Sequence, residues 1–398
     1  MSDHQIVIIG ASFAGLTAAH GLLKTVLPTI SGKKFKVVQI APNEEFFWKI
    51  GAPRLIANPS SLPFEKALLP IASAFEQYGP EKYEFIKAYV TSIDASTKTV
   101  HTSTSTAVRY DSLIIASGTS FATPIWSVSD GTEATKNAIA DLHQRLPAAE
   151  SILIAGGGAA GVETAGELGE LYGTKKEITL LSGTTNLLAS LQNQKIGQNA
   201  ASRLQKQGVK VIHDSVRVVE HTKANGKDVL KLSNGETKTV DVYIEATGDK
   251  PNTKFVPQEW LNEKQKVKAD PQTLRLDVPG VTDVYVYGSV GSYSNGSVVD
   301  VQFAKGAFLE SIRSDLSGTG KWKFQCYTDR VTDNNTAPGP RTKNVYKKIA
   351  SDMMFVPIGP NQGVGVAFGW GVPSFIVKFA KGKDFMIGKA LATVQGTA

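Results

Sequence analysis

Ser151-Ile-Leu-Ile-Ala-Gly-Gly-Gly-Ala-Ala-Gly-Val-Glu-Thr-Ala-Gly-Glu-Leu168 is the stretch on which the fold turns. Its apolar run Ile152 to Ala155 reads as a buried parallel strand, and Val162 to Tyr172 is compatible with a helix. Between them Gly156, Gly158 and Gly161 stand at the spacing G-x-G-x-x-G. Strand, glycine turn and helix in that order is the context in which this spacing denotes a dinucleotide site. The first glycine permits the turn, the second lets backbone approach a pyrophosphate, and the third allows close helix–strand packing. Free N–H groups at the helix start then face the phosphates.

A second, similar stretch lies about 146 residues earlier. The strand Gln5 to Gly10 runs into Gly10-Ala-Ser-Phe-Ala-Gly15, and Leu16 to Leu23 continues as a helix. Here Ser12 replaces the middle glycine; it is small, so the turn stays possible. A hydrolase nucleophile elbow also places a serine between strand and helix, but deep within its sheet, after several strands, and not at residue 12.

Phe35 to Ala41 is the next strand, and an acid is expected near its end to hold a ribose. The sequence has Ala41, with Asn43 or Glu44 as substitutes if the contact exists. Arg54 is a candidate for a diphosphate or a flavin edge, or else a surface salt bridge. Strands ending in Gly118 and Gly248 let the chain pass beneath a nucleotide. Glu177 to Leu181 ends in Ser182-Gly183, with neither an acid to repel NADPH nor an arginine to select it. Asn225-Gly226 marks a hairpin between Val216–His221 and Asp228–Leu232. Thr273 to Leu276 and Val284 to Tyr287 read as strands. A helix over 302–316 places Gly306 and Ala307 near its start, suited to donating N–H groups to a cofactor. A short basic amphipathic helix begins near Pro373.

Composition narrows the field. The chain of 398 residues is 41% hydrophobic and 20% charged, within the globular range and long enough for two or three domains. Its one cysteine, Cys326, excludes a redox cysteine pair and a cysteine-rich metal site, and the six histidines show no ligand spacing, so no metal is expected. The net charge of +7 resides from Lys321 onward, where 11 Lys/Arg face 4 Asp/Glu. That basic tail suits an anionic membrane surface, a phosphorylated ligand or simply solvent. No signal peptide precedes the first strand, and Ser2 excludes N-myristoylation. The expectation is a cytoplasmic protein, at most peripheral at a lipid-droplet or mitochondrial surface. Without an aromatic-interleaved basic groove, nucleic acid is not an expected partner.

Two fingerprints, each answered by a later strand ending in glycine, resemble the two-dinucleotide flavoprotein family. The run Gly156 to Glu163 with Gly166-Glu167 resembles its apoptosis-inducing factor-like branch. The tail, Ile358 to Gly365, Val372 to Lys378 and Lys381 to Met386, is similar to that of ferroptosis suppressor proteins and their fungal relatives. The resemblance implies an α/β fold of two Rossmann-like domains, the second inserted into the first, plus a small α+β C-terminal region. The implied bounds are 1–120 and 249–317 for an FAD domain, 121–248 for an NAD(P)H domain and 318–398 for the tail. It implies NAD(P)H:quinone or other acceptor reductase activity with FAD and NAD(P)H as cofactors. By family position, Gly10, Ser12, Gly15, Arg54, Val90, Gly118, Gly288 and Ser289 line FAD, and Gly156, Gly158, Gly161 and Gly248 line NAD(P)H. Glu163 lies near the nicotinamide, as an orienting acceptor or as an acid favoured by the helix dipole. Lys381 and Met386 border the quinone side of the flavin. Ser12, Ala41 and Ser289, where the family carries glycine, acid and Asp, are departures in the FAD half. Rival readings are a flavin oxidase or dehydrogenase of a specialised metabolite, and a non-catalytic apoptosis-inducing factor-like signalling protein.

Overall fold

The two fingerprints open two sheets of the same topology. In the computed structural model, which describes residues 4–318, 345–348 and 351–397, the first sheet is wholly parallel. Its spatial order is Val284–Val286, Ser112–Ile115, His4–Ile9, Phe35–Ala41, Tyr83–Lys87. The second, also parallel, runs Val242–Glu245, Ser151–Ala155, Glu177–Leu181, Val209–Ile212. In each, the fingerprint strand is flanked by the next strand in sequence on one side and a late strand on the other. Each chain run also leaves its sheet after the third strand through a three-stranded antiparallel excursion, Val90–Arg109 in the first and Val218–Val240 in the second. The fold is therefore α/β with two Rossmann-like units, joined where Thr119–Phe121 pairs antiparallel with Asp249–Pro251.

The apolar runs become central strands because both of their faces are covered. Ile6, Val7 and Ile8 are fully buried, and Ile152 to Ala155 nearly so, as parallel sheets between helix layers require. The helix Phe13–Gly21 meets the long helix Val298–Leu316 at Gly21, where a Cβ would stand 2.8 Å from Leu309 Cδ2. The helix Ala159–Tyr172 covers the second sheet and carries the tail strand Met354–Pro357 on its outer side, while Gly363–Ala367 packs on the helix Gln194–Lys206.

Two expectations need correction. The helix expected over 302–316 begins at Val298, capped by Ser297 Oγ accepting from Val299 N–H at 3.0 Å. Gly306 and Ala307 therefore lie mid-helix, their amides engaged within it, and donate nothing to a cofactor. Thr273–Leu276 forms only isolated bridges, Arg275 to Tyr285 and Ala269 to Leu276, rather than a strand. The hairpin at Asn225-Gly226 has the positive φ values, 52° and 77°, of the turn that suits twisted strands. The early part of the basic tail, with Cys326, lies outside the described residues. Among the described residues no helix is long and apolar enough to cross a membrane, and no His/Cys/Asp/Glu group could hold a metal.

Candidate active site and cofactor cradles

In the second fold Gly156 has φ +130°, and a Cβ there would stand 2.2 Å from Ala246 O. A Cβ on Gly161 would stand 1.9 Å from Gly156 O. Strand end, turn and helix start are thus pressed backbone to backbone, closer than any side chain allows. The first fold repeats this: Gly10 (φ +111°) would meet Ala116 O at 2.3 Å, and Gly15 would meet Gly10 O at 2.0 Å. The middle positions differ in kind. Gly158 caps its helix with extended backbone and has nothing within 4 Å of a Cβ. Ser12 holds the same capping place on Phe13–Gly21, exposed and likewise extended. Neither supplies a side-chain cap, so the first-turn N–H groups of both helices are left for an anion. The serine costs the protein no packing, and both turns fit a dinucleotide pyrophosphate.

Around the first turn, Gly118 (φ +67°) is open except for Ser289 Oγ, 3.7 Å from its would-be Cβ, and Gly288 (φ +91°) lies against Ala14, whose Cβ would be 2.7 Å away. Gly118, Gly288 and Ser289, distant in sequence, therefore gather at one mouth with Gly10, Ser12 and Gly15. Val90, half-buried, packs against the first core. Gly248 (φ +68°) faces open space on the second fold. The substitutes for a ribose acid beside Ala41 both have other partners. Asn43 Nδ2 donates to Val128 O, and Glu44 pairs with Lys87 at 2.7 Å on the surface. Binding at the first turn rests on backbone donors and contact area.

Arg54 departs from its expected role. It is 3% exposed, and its guanidinium forks onto Glu167, Nε to Oε2 and Nη2 to Oε1, both at 2.8 Å. Nη1 also donates to Lys383 O at 2.7 Å and Nη2 to Gly382 O at 2.8 Å. Four of its five N–H donors are thereby used, and the expectation of a diphosphate or flavin-edge contact is corrected to a buried clamp. The surface-salt-bridge alternative is corrected too, because the pair is buried.

The clamp belongs to a larger arrangement on one helix face. Glu163, Gly166 and Glu167 are spaced i, i+3, i+4 on Ala159–Tyr172 and so share a side. Glu163 accepts from Lys381 Nζ at 2.5 Å, and Nζ also donates to Phe355 O at 3.3 Å. A Cβ on Gly166 would stand 2.6 Å from Ile358 Cα and 2.9 Å from Gly359 N, so the tail backbone lies directly on the helix there. Glu167 takes Arg54. Phe385 sits beneath both cations, 4.8 Å from Arg54 Cζ and 5.7 Å from Lys381 Nζ. Trp48 Nε1 donates to Phe385 O at 2.8 Å and ties the tail to the first fold. Met386 packs partly buried against the first core.

Burial pushes the Glu163 carboxyl up to about 7, against the lowering pull of Lys381. Between about pH 4.5 and 7 the folded chain therefore holds a proton that the unfolded chain has released, so this group makes stability fall as pH rises through that window. Unfolding of wild type and Glu163→Gln at pH 5 and pH 8 should show the difference moving in the variant's favour by about 2 kcal/mol at the higher pH.

Glu167, the carbonyls of Gly382 and Lys383, and Trp48 were not assigned roles from sequence. Two acids one turn apart among the small apolar residues of a core-facing helix were the available signal for Glu167. The carbonyls had none.

Comparison with known proteins supplies the family. The pyridine nucleotide-disulphide oxidoreductase family model matches residues 4–306. The oxidoreductase ptaL of Pestalotiopsis fici is 34% identical over 397 residues, 99% of each chain. Ferroptosis suppressor protein 1 of Xenopus tropicalis is 25% identical over 393 residues, 97% of this chain and 94% of that protein. Among solved structures, the sulfide:quinone oxidoreductase of Aquifex aeolicus superposes with a TM-score of 0.61 at 18% identity, over 79% of this chain and 77% of that one. With one cysteine the chain has no internal disulfide to cycle. By the match and by its two glycine turns, the chain belongs to the pyridine nucleotide-disulphide oxidoreductase family of FAD- and NAD(P)H-dependent oxidoreductases.

Proposed function

We propose that this oxidoreductase passes electrons from NAD(P)H through FAD to a quinone-like acceptor. The observation that carries the reading is the buried Glu163–Lys381 pair, which brings a cation from the tail onto the helix that opens the NAD(P)H turn. When bound, the two cofactors supply the hydride and electron chemistry. The chain's own residues then have distinct tasks. The turn Gly156–Gly161 holds pyrophosphate by backbone N–H groups. The turn at Gly10–Gly15, with Gly118, Gly288 and Ser289, holds the second dinucleotide. Glu163 Oε1 and Lys381 Nζ hold a proton between them, with the carboxylate buried and the ammonium partly exposed. The single cysteine favours direct departure of electrons to a small acceptor over passage through a thiol pair.

The tail also presents Phe375 and Phe379, 61% and 72% exposed and one helical turn apart, next to Lys378 and Lys383. That combination suits peripheral contact with an anionic lipid surface, in keeping with a lipid-soluble acceptor. The test is spectroscopic. Purified protein should be yellow, its flavin bands bleached anaerobically by NADH or NADPH and restored by a soluble quinone. Bands that bleach and recover only with oxygen would set the acceptor assignment aside. A colourless preparation that takes up no FAD would set aside the whole reading.

A further inference from the structure

We propose that this chain prefers NADPH to NADH, with Arg217 as the residue that holds the adenosine 2′-phosphate. The inference rests on the second fold being the NAD(P)H site. With the pyrophosphate fixed at Gly156–Gly161, the adenosine runs along the C-terminal edge of the sheet to the end of the neighbouring strand, Glu177–Leu181. That strand ends in Ser182-Gly183, so no carboxylate is there to take the ribose hydroxyls. The Ser182 hydroxyl is occupied within its own turn, 2.8 Å from Thr184 Oγ1 and 3.1 Å from Asn186 O.

The cation missing from this turn in sequence arrives from the segment that leads into the strand Val218–Ala224. Arg217 Nε donates to Gly183 O at 3.2 Å, and its Cγ lies 3.4 Å from where a Gly183 Cβ would be. The backbone of Arg217 is held in place by Ser233, whose Oγ accepts from Arg217 N at 3.1 Å and whose N–H donates to Arg217 O at 2.8 Å. Anchored at Nε and at its backbone, the exposed guanidinium has no hydrogen bond or ion pair from Nη1 or Nη2 among the described residues. A fork of free N–H donors fixed at the ribose end of the turn is the geometry that phosphate recognition needs.

The other side of the same turn is a cleft of about 450 Å³ lined by Thr185, Asn186, Gln194, Gln198, Ser202 and His213. No carboxylate lines it, and His213 Nδ1 is buried without a hydrogen-bond partner. The loop that receives the ribose is thus flanked by a clamped cation and by a cleft without a lining carboxylate, so an added dianion meets an attractive partner at Arg217.

Calorimetric titration of the FAD-loaded protein with 2′,5′-ADP and with 5′-AMP tests this without turnover. Wild type should bind 2′,5′-ADP about tenfold or more tightly than 5′-AMP. In Arg217→Gln the two affinities should converge, with 5′-AMP binding unchanged as proof of an intact fold. Equal affinities in wild type would overturn the inference. So would an equal loss of both ligands in the variant, which marks the arginine as an adenine-stacking group. If wild type binds neither nucleotide, nor NADH, the NAD(P)H reading of the second fold falls and this inference falls with it.

Discussion

Replacing Arg54 by methionine should destabilise the protein by about 3–5 kcal/mol, the cost of leaving one partner of a buried ion pair uncompensated. Glu167 is 4% exposed, and the guanidinium is its ion-pair partner. The carbonyls of Gly382 and Lys383 lose their donors in the same step. The double variant Arg54→Met/Glu167→Leu should regain most of the loss, because two apolar residues of similar volume carry no charge to bury. Chemical unfolding of the two single variants and the double variant gives the cycle. A loss below about 1 kcal/mol for Arg54→Met would show that the pair holds nothing together. Since the same guanidinium fixes the segment beside Lys381, the single variant should also slow flavin reduction more than it weakens NAD(P)H binding.

The second large effect separates the two nucleotide turns. Gly161→Ala puts a methyl 1.9 Å from Gly156 O, and backbone cannot yield there without opening the turn. NAD(P)H affinity should fall about a hundredfold while the protein stays yellow. Gly15→Ala, with its methyl 2.0 Å from Gly10 O, should do the reverse and give protein depleted of FAD. Flavin content by absorbance and nucleotide binding by titration separate the outcomes. Loss of both cofactors in both variants would mean that the turns do not act as independent sites.

Much of this was legible in the residues. Continuous apolar runs such as Ile152–Ala155 marked buried parallel strands, and G-x-G-x-x-G marked the turns, because steric exclusion at Gly156 and Gly161 leaves no other residue. The excursion at Asn225-Gly226 was legible for the same local reason. The start of the helix at Val298 was missed: Ser297 caps it, but the Ser/Gly-rich segment before it reads as loop, and the apolar pattern becomes regular only later. Arg54 was misread for a different reason. A lone arginine in sequence carries no sign of its partner, and Glu167 stands 113 residues away. Arg217 was overlooked because its neighbour Gly183 stands 34 residues earlier, in the turn after the strand Glu177–Leu181, and that adjacency exists only once the chain is folded. Local rules reached the turns; the long-range pairs needed coordinates.

The helix turn Glu163–Glu167 has a consequence for how the protein is made. Its three grips reach Arg54, the Ile358–Gly359 backbone and Lys381, so they draw once on the first fold and twice on the segment that follows both folds. During synthesis the second fold can collapse as it emerges, and the first completes its sheet afterwards with Val284–Val286. Until Ile358 and Gly359 leave the ribosome, however, the groove over Gly166 is bare, and until Lys381 follows, Glu163 lacks that cation. A nascent chain stopped between Leu316 and Lys381 carries both nucleotide turns and lacks the Lys381 contact to Glu163. The Glu163–Lys381 pair therefore closes late, when the segment around Lys381 settles onto a helix made more than two hundred residues earlier.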